Sequence, residues 1–137
     1  MTGDLPRLQD YLIHLKEAIE RIGQYIADLD EISFLDNPLI QDAVLRNMEV
    51  IGEAANCIRK RHPDYVDEHP GIPWQVIYAM RNRISHAYHK VDLEVVWKTI
   101  ECDLPRIYAD ISQMLRDFLP SWRPDTADDP TPTNRAQ

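Results

Sequence analysis

A long seam of apolar residues marks the start of the chain. Alternating spacings of three and four separate its members, which are Leu5, Leu8, Leu12, Leu15, Ile19, Ile22, Ile26 and Leu29. This spacing places all of them on one face of an α-helix. We therefore predict a helix over residues 5–30, with Pro6 tolerated in its first turn. A seam of this length requires a covering helix, either from the same chain or from a second protomer.

The next apolar stripe predicts a second helix over residues 38–61. Asn37 is a suitable N-cap, and Pro38 suits the first helical position. The buried face of this helix is predicted to consist of Ile40, Val44, Met48, Ile51, Ala55 and Ile58. Gly52 lies on the same helix, where its lack of a side chain would allow another helix to approach closely.

Two further helices complete the pattern. Residues 62–72 contain two prolines and a glycine and are predicted to form a loop. Pro73 then opens a third helix, which ends near residues 87–91. Asp92 caps a fourth helix over residues 93–118, which Pro105 should kink or split. The predicted fold is all-α, an up-and-down bundle of four to five helices.

Composition agrees with one soluble domain. The chain has 137 residues, 44% of them hydrophobic, and only 4 glycines. We predict a helical bundle over residues 1–119 and a disordered Pro/Asp/Thr-rich tail over residues 120–137. No apolar run reaches the length of a membrane span, and the two cysteines form no CxxC motif. These features predict a cytoplasmic protein without a zinc ribbon or redox motif.

Charge is distributed unevenly along the chain, whose net charge is −8. Residues 59–90 carry six basic and three acidic side chains, whereas the remainder carries nine basic and twenty acidic ones. This local excess suggests a nucleic-acid contact surface. Its basic members are Arg59, Lys60, Arg61, Arg81, Arg83 and Lys90. Residues 59–61 would also neutralise the C-terminal end of the second helix, and both interpretations can hold together.

The segment MRNRISHAYHKVD, residues 80–92, carries the candidate chemistry. Arg81 offers a permanently charged fork of donors that fits phosphate, and His86 can exchange protons near neutral pH. A cation beside a proton-transfer group is what metal-free phosphodiester cleavage requires. Structural interpretations remain open for each residue: Arg81 could pair with Glu49 or Glu53, and His86 could interact with the helix dipole.

These residues resemble the HEPN superfamily, and within it the HepT-like toxins that are paired with minimal (MNT-type) nucleotidyltransferase antitoxins. The family motif is Arg, four to six residues, His, then x-Tyr, and it stands here as Arg81, His86 and Tyr88. The usual polar residue after the arginine is Asn82. The segment RNMEVIGEAA, residues 46–55, is also similar to the family, and the likeness covers about residues 5–118.

The resemblance implies a metal-independent endoribonuclease. His86 would transfer protons during attack by the ribose 2′-hydroxyl, Arg81 would stabilise the developing charge, and Asn82 would position them. Family members are homodimers in which two motifs face one cleft, and several act on tRNA. Tyr88 would be the position that the antitoxin modifies with AMP from ATP, and the protein itself would need no cofactor and no metal.

Helix geometry leaves two arrangements open for this motif. Arg81 and His86 are five residues apart, which corresponds to about 140° around an ideal helix. Either the helix ends near His86 and the ring turns back, or each site combines groups from two chains.

Two rival functions also remain open, as does a weak metal motif. The bundle could be a non-catalytic nucleotide- or substrate-binding regulatory subunit of a nucleotidyltransferase, or a purely structural dimer. A metal site formed by His86, His89 and Asp92 has only weak support from spacing.

Overall fold

A computed structural model describes the backbone of residues 4–86 and 91–118 and the side chains of residues 7–81 and 91–118. The described part of the chain is all-α, which confirms the predicted class. Its elements are α1 (Asp4–Tyr25), α2 (Glu31–Leu35), α3 (Pro38–Arg61), α4 (Pro63–Asp67), α5 (Trp74–His86), α6 (Leu93–Lys98), a π-helical turn (Thr99–Asp103) and α7 (Leu104–Phe118).

The seam of α1 is covered within the same chain. Leu12 and Leu15 are fully buried, and α1 packs mainly against α3 and α7. Helix α3 in turn packs against α5, so it lies at the centre of the bundle. The seam therefore does not need a second protomer to cover it.

The first helix is shorter than the predicted range of 5–30. Helix α1 ends at Tyr25, and a separate short helix, α2, begins at Glu31. The Asp30 carboxylate accepts a hydrogen bond from the backbone N–H of Ser33 at 2.8 Å, which caps α2. This second helix buries Phe34 completely, with its ring centroid 5.2 Å from that of Trp97. Burying Phe34 requires the chain to turn where the apolar spacing alone would continue one helix.

The predicted caps of the later helices are confirmed. Asn37 Oδ1 accepts from the backbone N–H of Ile40 at 3.1 Å, and α3 spans Pro38–Arg61 as predicted. Asp92 Oδ1 accepts from the N–H groups of Glu94 and Val95 at 3.0 and 3.3 Å. Both residues act as predicted because a short polar side chain satisfies otherwise unpaired backbone donors.

Of two proline segments, the first differs from the prediction and the second agrees with it. The predicted loop at 62–72 contains the one-turn helix α4, because Pro63 at its first position has a backbone already suited to a helix. Pro105 was predicted to kink or split the last helix, and the structure divides that helix into α6 and α7 at a π-helical turn directly before the proline. The N–H of Leu104 bonds to the carbonyl of Thr99, five residues back, in this π-helical turn. This wider turn precedes the proline, and the chain remains helical from 93 to 118.

Among the described helices, none is both long enough and apolar enough to cross a membrane. The predicted disordered tail, residues 120–137, lies outside the described residues.

Helices α3 and α5 are neighbours in the bundle, and the candidate chemistry lies on these two helices.

Candidate active site

Arg81 lies near the end of α5 and reaches across to α3. Its Nε lies 2.8 Å from Oε1 of Glu53, in an ion pair whose side chains are 43% and 54% exposed. The sequence suggested Glu49 or Glu53 as the partner of Arg81, and the structure shows that the partner is Glu53. Glu49 lies instead near Arg46, with 3.8 Å between Oε1 and Nη1.

This ion pair orients Arg81 and leaves most of its donors available. Only Nε is engaged by Glu53, and the two terminal nitrogens of Arg81 have no hydrogen-bond partner among the described residues. These nitrogens carry four of the five guanidinium N–H groups and form the fork that recognises phosphate. A pair this exposed contributes little to stability. Its main consequence is therefore the direction in which the guanidinium points.

Gly52 allows the close approach of α3 and α5 at this position. A Cβ placed on Gly52 would lie 2.5 Å from the Cβ and 2.6 Å from the backbone nitrogen of Arg81. Real Cβ atoms do not make such contacts, so only glycine fits here without displacement of α5. The sequence suggested that Gly52 permits close packing, and the structure shows that Arg81 is the residue packed against it.

The backbone of α5 also carries the other motif residues as far as His86. Asn82, Arg83 and His86 lie in α5, which is described as far as His86. Residues 87–90 lie outside the described part of the chain, so the prediction that the helix ends near the histidine stays a prediction. The side chains of these three residues lie outside the described part of the structure, as do Tyr88 and Lys90 entirely.

The basic residues of α3 separate into two groups. Arg59 lines a small pocket between α3 and α5 that Arg81 also lines. Lys60 and Arg61 are exposed and do not line that pocket. All three lie in the last turn of α3, where positive charge favours the helix dipole. Of these three residues, only Arg59 also lines the pocket beside Arg81.

Sequence reasoning missed four further residues of this pocket, Asn56, Gln75, Tyr78 and Ala79. Asn56 and Tyr78 are buried, with exposures of 8% and 9%. Burial raises the pKa of Tyr78, although the positive charge of Arg59 opposes this effect. The spacing contained a signal, because Tyr78 is three residues from both Gln75 and Arg81 and so neighbours each of them on the surface of α5.

The described residues contain no cluster of three or more His, Cys, Asp or Glu side chains that could hold a metal ion. His89, which the weak metal motif requires, lies outside them.

Comparisons with known proteins identify the family. The model of the family described as "Ribonuclease HepT-like" matches residues 15–114. The chain is similar to the "Probable ribonuclease HepT" of Thermococcus cleftensis, with 39% identity over 99 residues that cover 72% of this chain and 87% of the relative. It is also similar to "Putative RNase MJ0125" of Methanocaldococcus jannaschii, with 31% identity covering 81% of this chain and 93% of the relative. No solved structure gives a significant match. On this evidence the chain belongs to the HepT-like ribonuclease family of the HEPN superfamily.

Proposed function

We propose that this protein is a metal-independent endoribonuclease in which Arg81 and His86 carry out the cleavage. The observation that carries the proposal is the state of Arg81. Its guanidinium is held at Nε by Glu53, and the same helix, α5, carries His86 five residues further along. The family match and the ribonuclease names of the relatives support the same conclusion.

In the proposed reaction the ribose 2′-oxygen attacks the adjacent phosphorus and the bond from phosphorus to the 5′-oxygen breaks. One proton leaves the 2′-hydroxyl and one reaches the departing 5′-oxygen, so the products are a 2′,3′-cyclic phosphate and a 5′-hydroxyl. His86 transfers protons, because its ordinary pKa lies near neutrality. The terminal nitrogens of Arg81 bind the non-bridging phosphate oxygens, where negative charge develops.

Asn82 has a positioning role in this proposal. It follows Arg81 directly and precedes His86 by four residues, so on a helix it neighbours the histidine. Arg81 and His86 both lie on α5, and we propose that one chain supplies both groups of a site. We also propose that the protein acts as a homodimer in which two such motifs face one cleft.

The proposed biological setting is a toxin–antitoxin pair of a type II/VII-like kind, located in the cytoplasm, with tRNA as the RNA cleaved. An MNT-type nucleotidyltransferase would silence the toxin by transferring AMP from ATP to Tyr88. The physical reason is that a bulky group with a negative phosphate near Arg81 would occupy the phosphate fork and exclude RNA. These proposals rest on the family motif at Arg81, His86 and Tyr88.

The test is cleavage of total tRNA in excess EDTA by unmodified protein whose mass has been verified. Wild type should yield 2′,3′-cyclic phosphate ends, and His86→Ala should yield none while melting at the wild-type temperature. Equal cleavage by both proteins would show that the assignment of His86 is wrong. If neither cleaves and expression without a partner is harmless, the regulatory-subunit alternative replaces the enzyme.

A further inference from the structure

The pocket beside Arg81 is built from two facing stripes of residues. Helix α3 contributes Asn56 and Arg59, and α5 contributes Gln75, Tyr78 and Arg81. The pocket has a volume of about 170 Å³. This volume suits one phosphate group, which has five heavy atoms, rather than a whole nucleotide.

Arg59 is held in a defined position at this pocket. Its Nη2 donates to Oδ1 of Asn56 at 2.6 Å, and its guanidinium carbon lies 4.7 Å from the ring centroid of Tyr78. The side chain is nevertheless exposed. A guanidinium fixed on a buried amide and an aromatic face loses less conformational freedom on binding an anion than a fully mobile surface arginine.

The polarity of the pocket also favours an anion. Among the described residues, its lining contains two arginines and two side-chain amides but no carboxylate. The hydroxyl of Tyr78 is buried and has no hydrogen-bond partner within the described part of the chain. Such groups are rare in proteins because an unsatisfied buried polar atom is costly. The oxygens of a bound phosphate would accept hydrogen bonds from the arginine, amide and hydroxyl donors that line the pocket.

We propose that this pocket, which we call the α3–α5 cleft, is a phosphate subsite for the RNA backbone. It would hold a phosphodiester next to the one that is cleaved, with Arg59 and Gln75 as its contacts and Asn56 as the residue that positions Arg59. The inference rests on the proposed function, in which Arg81 takes the cleaved phosphate. Arg81 lines the cleft as well, so the two phosphates would be neighbours along the strand.

The test is the binding of a short single-stranded RNA whose 2′-hydroxyls are methylated, so that it cannot be cleaved. Fluorescence anisotropy over a range of salt concentrations gives both the affinity and the number of phosphate contacts. Arg59→Gln should weaken binding about tenfold. It should also reduce the steepness of the salt dependence by about 0.7, the value of one contact on a single strand. Arg106→Gln removes an exposed arginine of α7 and serves as the charge-matched control.

A second pair of variants keeps the test independent of the packing of Arg59. Gln75 is exposed at the start of α5, and Gln75→Glu places a carboxylate in the cleft with almost no change of shape. Gln24→Glu makes the same change on the exposed surface of α1. Only Gln75→Glu should weaken RNA binding by more than about tenfold, and both variants should melt near the wild-type temperature.

The outcomes separate the subsite from the proposed function. Wild-type affinity in Arg59→Gln and Gln75→Glu would overturn the subsite, even in a protein that cleaves RNA. Equal losses in Arg59→Gln and Arg61→Gln would also overturn it, because diffuse charge would then explain the binding. A protein that binds RNA through Arg59 and Gln75 but never cleaves it would retain the subsite and refute the ribonuclease.

Discussion

Gly52 of α3 lies directly against Arg81 of α5, so closely that a Cβ on the glycine would stand 2.5 Å from the Cβ of the arginine. This contact sets the distance between the two helices. Glu53, the next residue of α3, forms its ion pair with the guanidinium at the same point. One small residue thus sets the position of Arg81, and its acidic neighbour sets the direction of the side chain.

Gly52→Ala should therefore lower both stability and cleavage. The added methyl group must displace α5, and overpacking of this kind costs about 1–3 kcal/mol of the free energy of unfolding. Urea denaturation measures that loss, and cleavage at a temperature where the variant is folded measures the displacement of Arg81. Gly23→Ala is the matched control: nothing lies within 4 Å of a Cβ there, and alanine should stabilise α1 by about 0.5–1 kcal/mol. Similar effects of the two substitutions would contradict the account.

Glu53→Gln should reduce cleavage while leaving stability almost unchanged. The ion pair is too exposed to contribute more than about 1 kcal/mol. Misplacement of a group that binds the transition state, however, costs up to about 10² in rate, and we expect a loss of about tenfold or more in kcat. Glu49→Gln, one turn away and near Arg46, should have no such effect. A stability loss without a rate loss in Glu53→Gln would assign the pair a purely structural role.

Mixing two inactive variants tests whether each site lies on one chain. Arg81 and His86 both lie on α5, and we propose that the two groups of one site come from the same chain. Arg81→Ala and His86→Ala, denatured together and refolded as mixed dimers, should therefore remain inactive. If the sites combined groups from two chains, one site of each mixed dimer would be complete, and cleavage would return.

The contact between Tyr108 and Glu20 should make the bundle less stable as the pH falls into the acidic range. The hydroxyl of Tyr108 donates to Oε2 of Glu20 at 2.7 Å, which joins α7 to α1. This hydrogen bond holds the pKa of Glu20 below its ordinary value of 4.5. A depressed carboxylate pKa stabilises the folded state above the unfolded pKa, and the effect is lost as pH falls through the folded pKa.

Tyr108→Phe should accordingly lower the melting temperature near neutral pH, and the difference from wild type should shrink below about pH 4.5. The contribution is at most about 1 kcal/mol, since the Glu20 side chain is 40% exposed. Tyr25→Phe on α1 should show no pH-dependent difference. A Tyr108→Phe difference that grows as the pH falls would contradict the assignment.

Sequence patterns predicted the helix starts and the main buried stripes because each depends on local chemistry. Asn37 and Asp92 cap their helices through backbone donors two or three residues away. The end of α1 was missed because Ile26 still packs against the core although the helix has already ended. Apolar spacing predicts burial, and here burial continues through a turn that only the packing of Phe34 explains.

In the candidate site, too, local features were predicted and features that depend on packing were missed. The motif predicted Arg81. Glu53 could be proposed as its partner because a carboxylate can pair with an arginine wherever the two helices meet. Asn56 and Tyr78 were missed because their importance depends on two helices facing each other across one pocket. Neither residue has a local sequence signal of its own, although the three-residue spacings make Tyr78 a neighbour of both Gln75 and Arg81 on α5.

The most direct test of the central claim is single-turnover cleavage of tRNA in excess EDTA by wild type and Arg81→Lys. Lysine keeps the positive charge but cannot reproduce the fork that binds two phosphate oxygens. We predict a rate loss of about 10² or more, as found when a donor to developing negative charge is removed, with an unchanged melting temperature. Cleavage by Arg81→Lys at the wild-type rate would contradict the account.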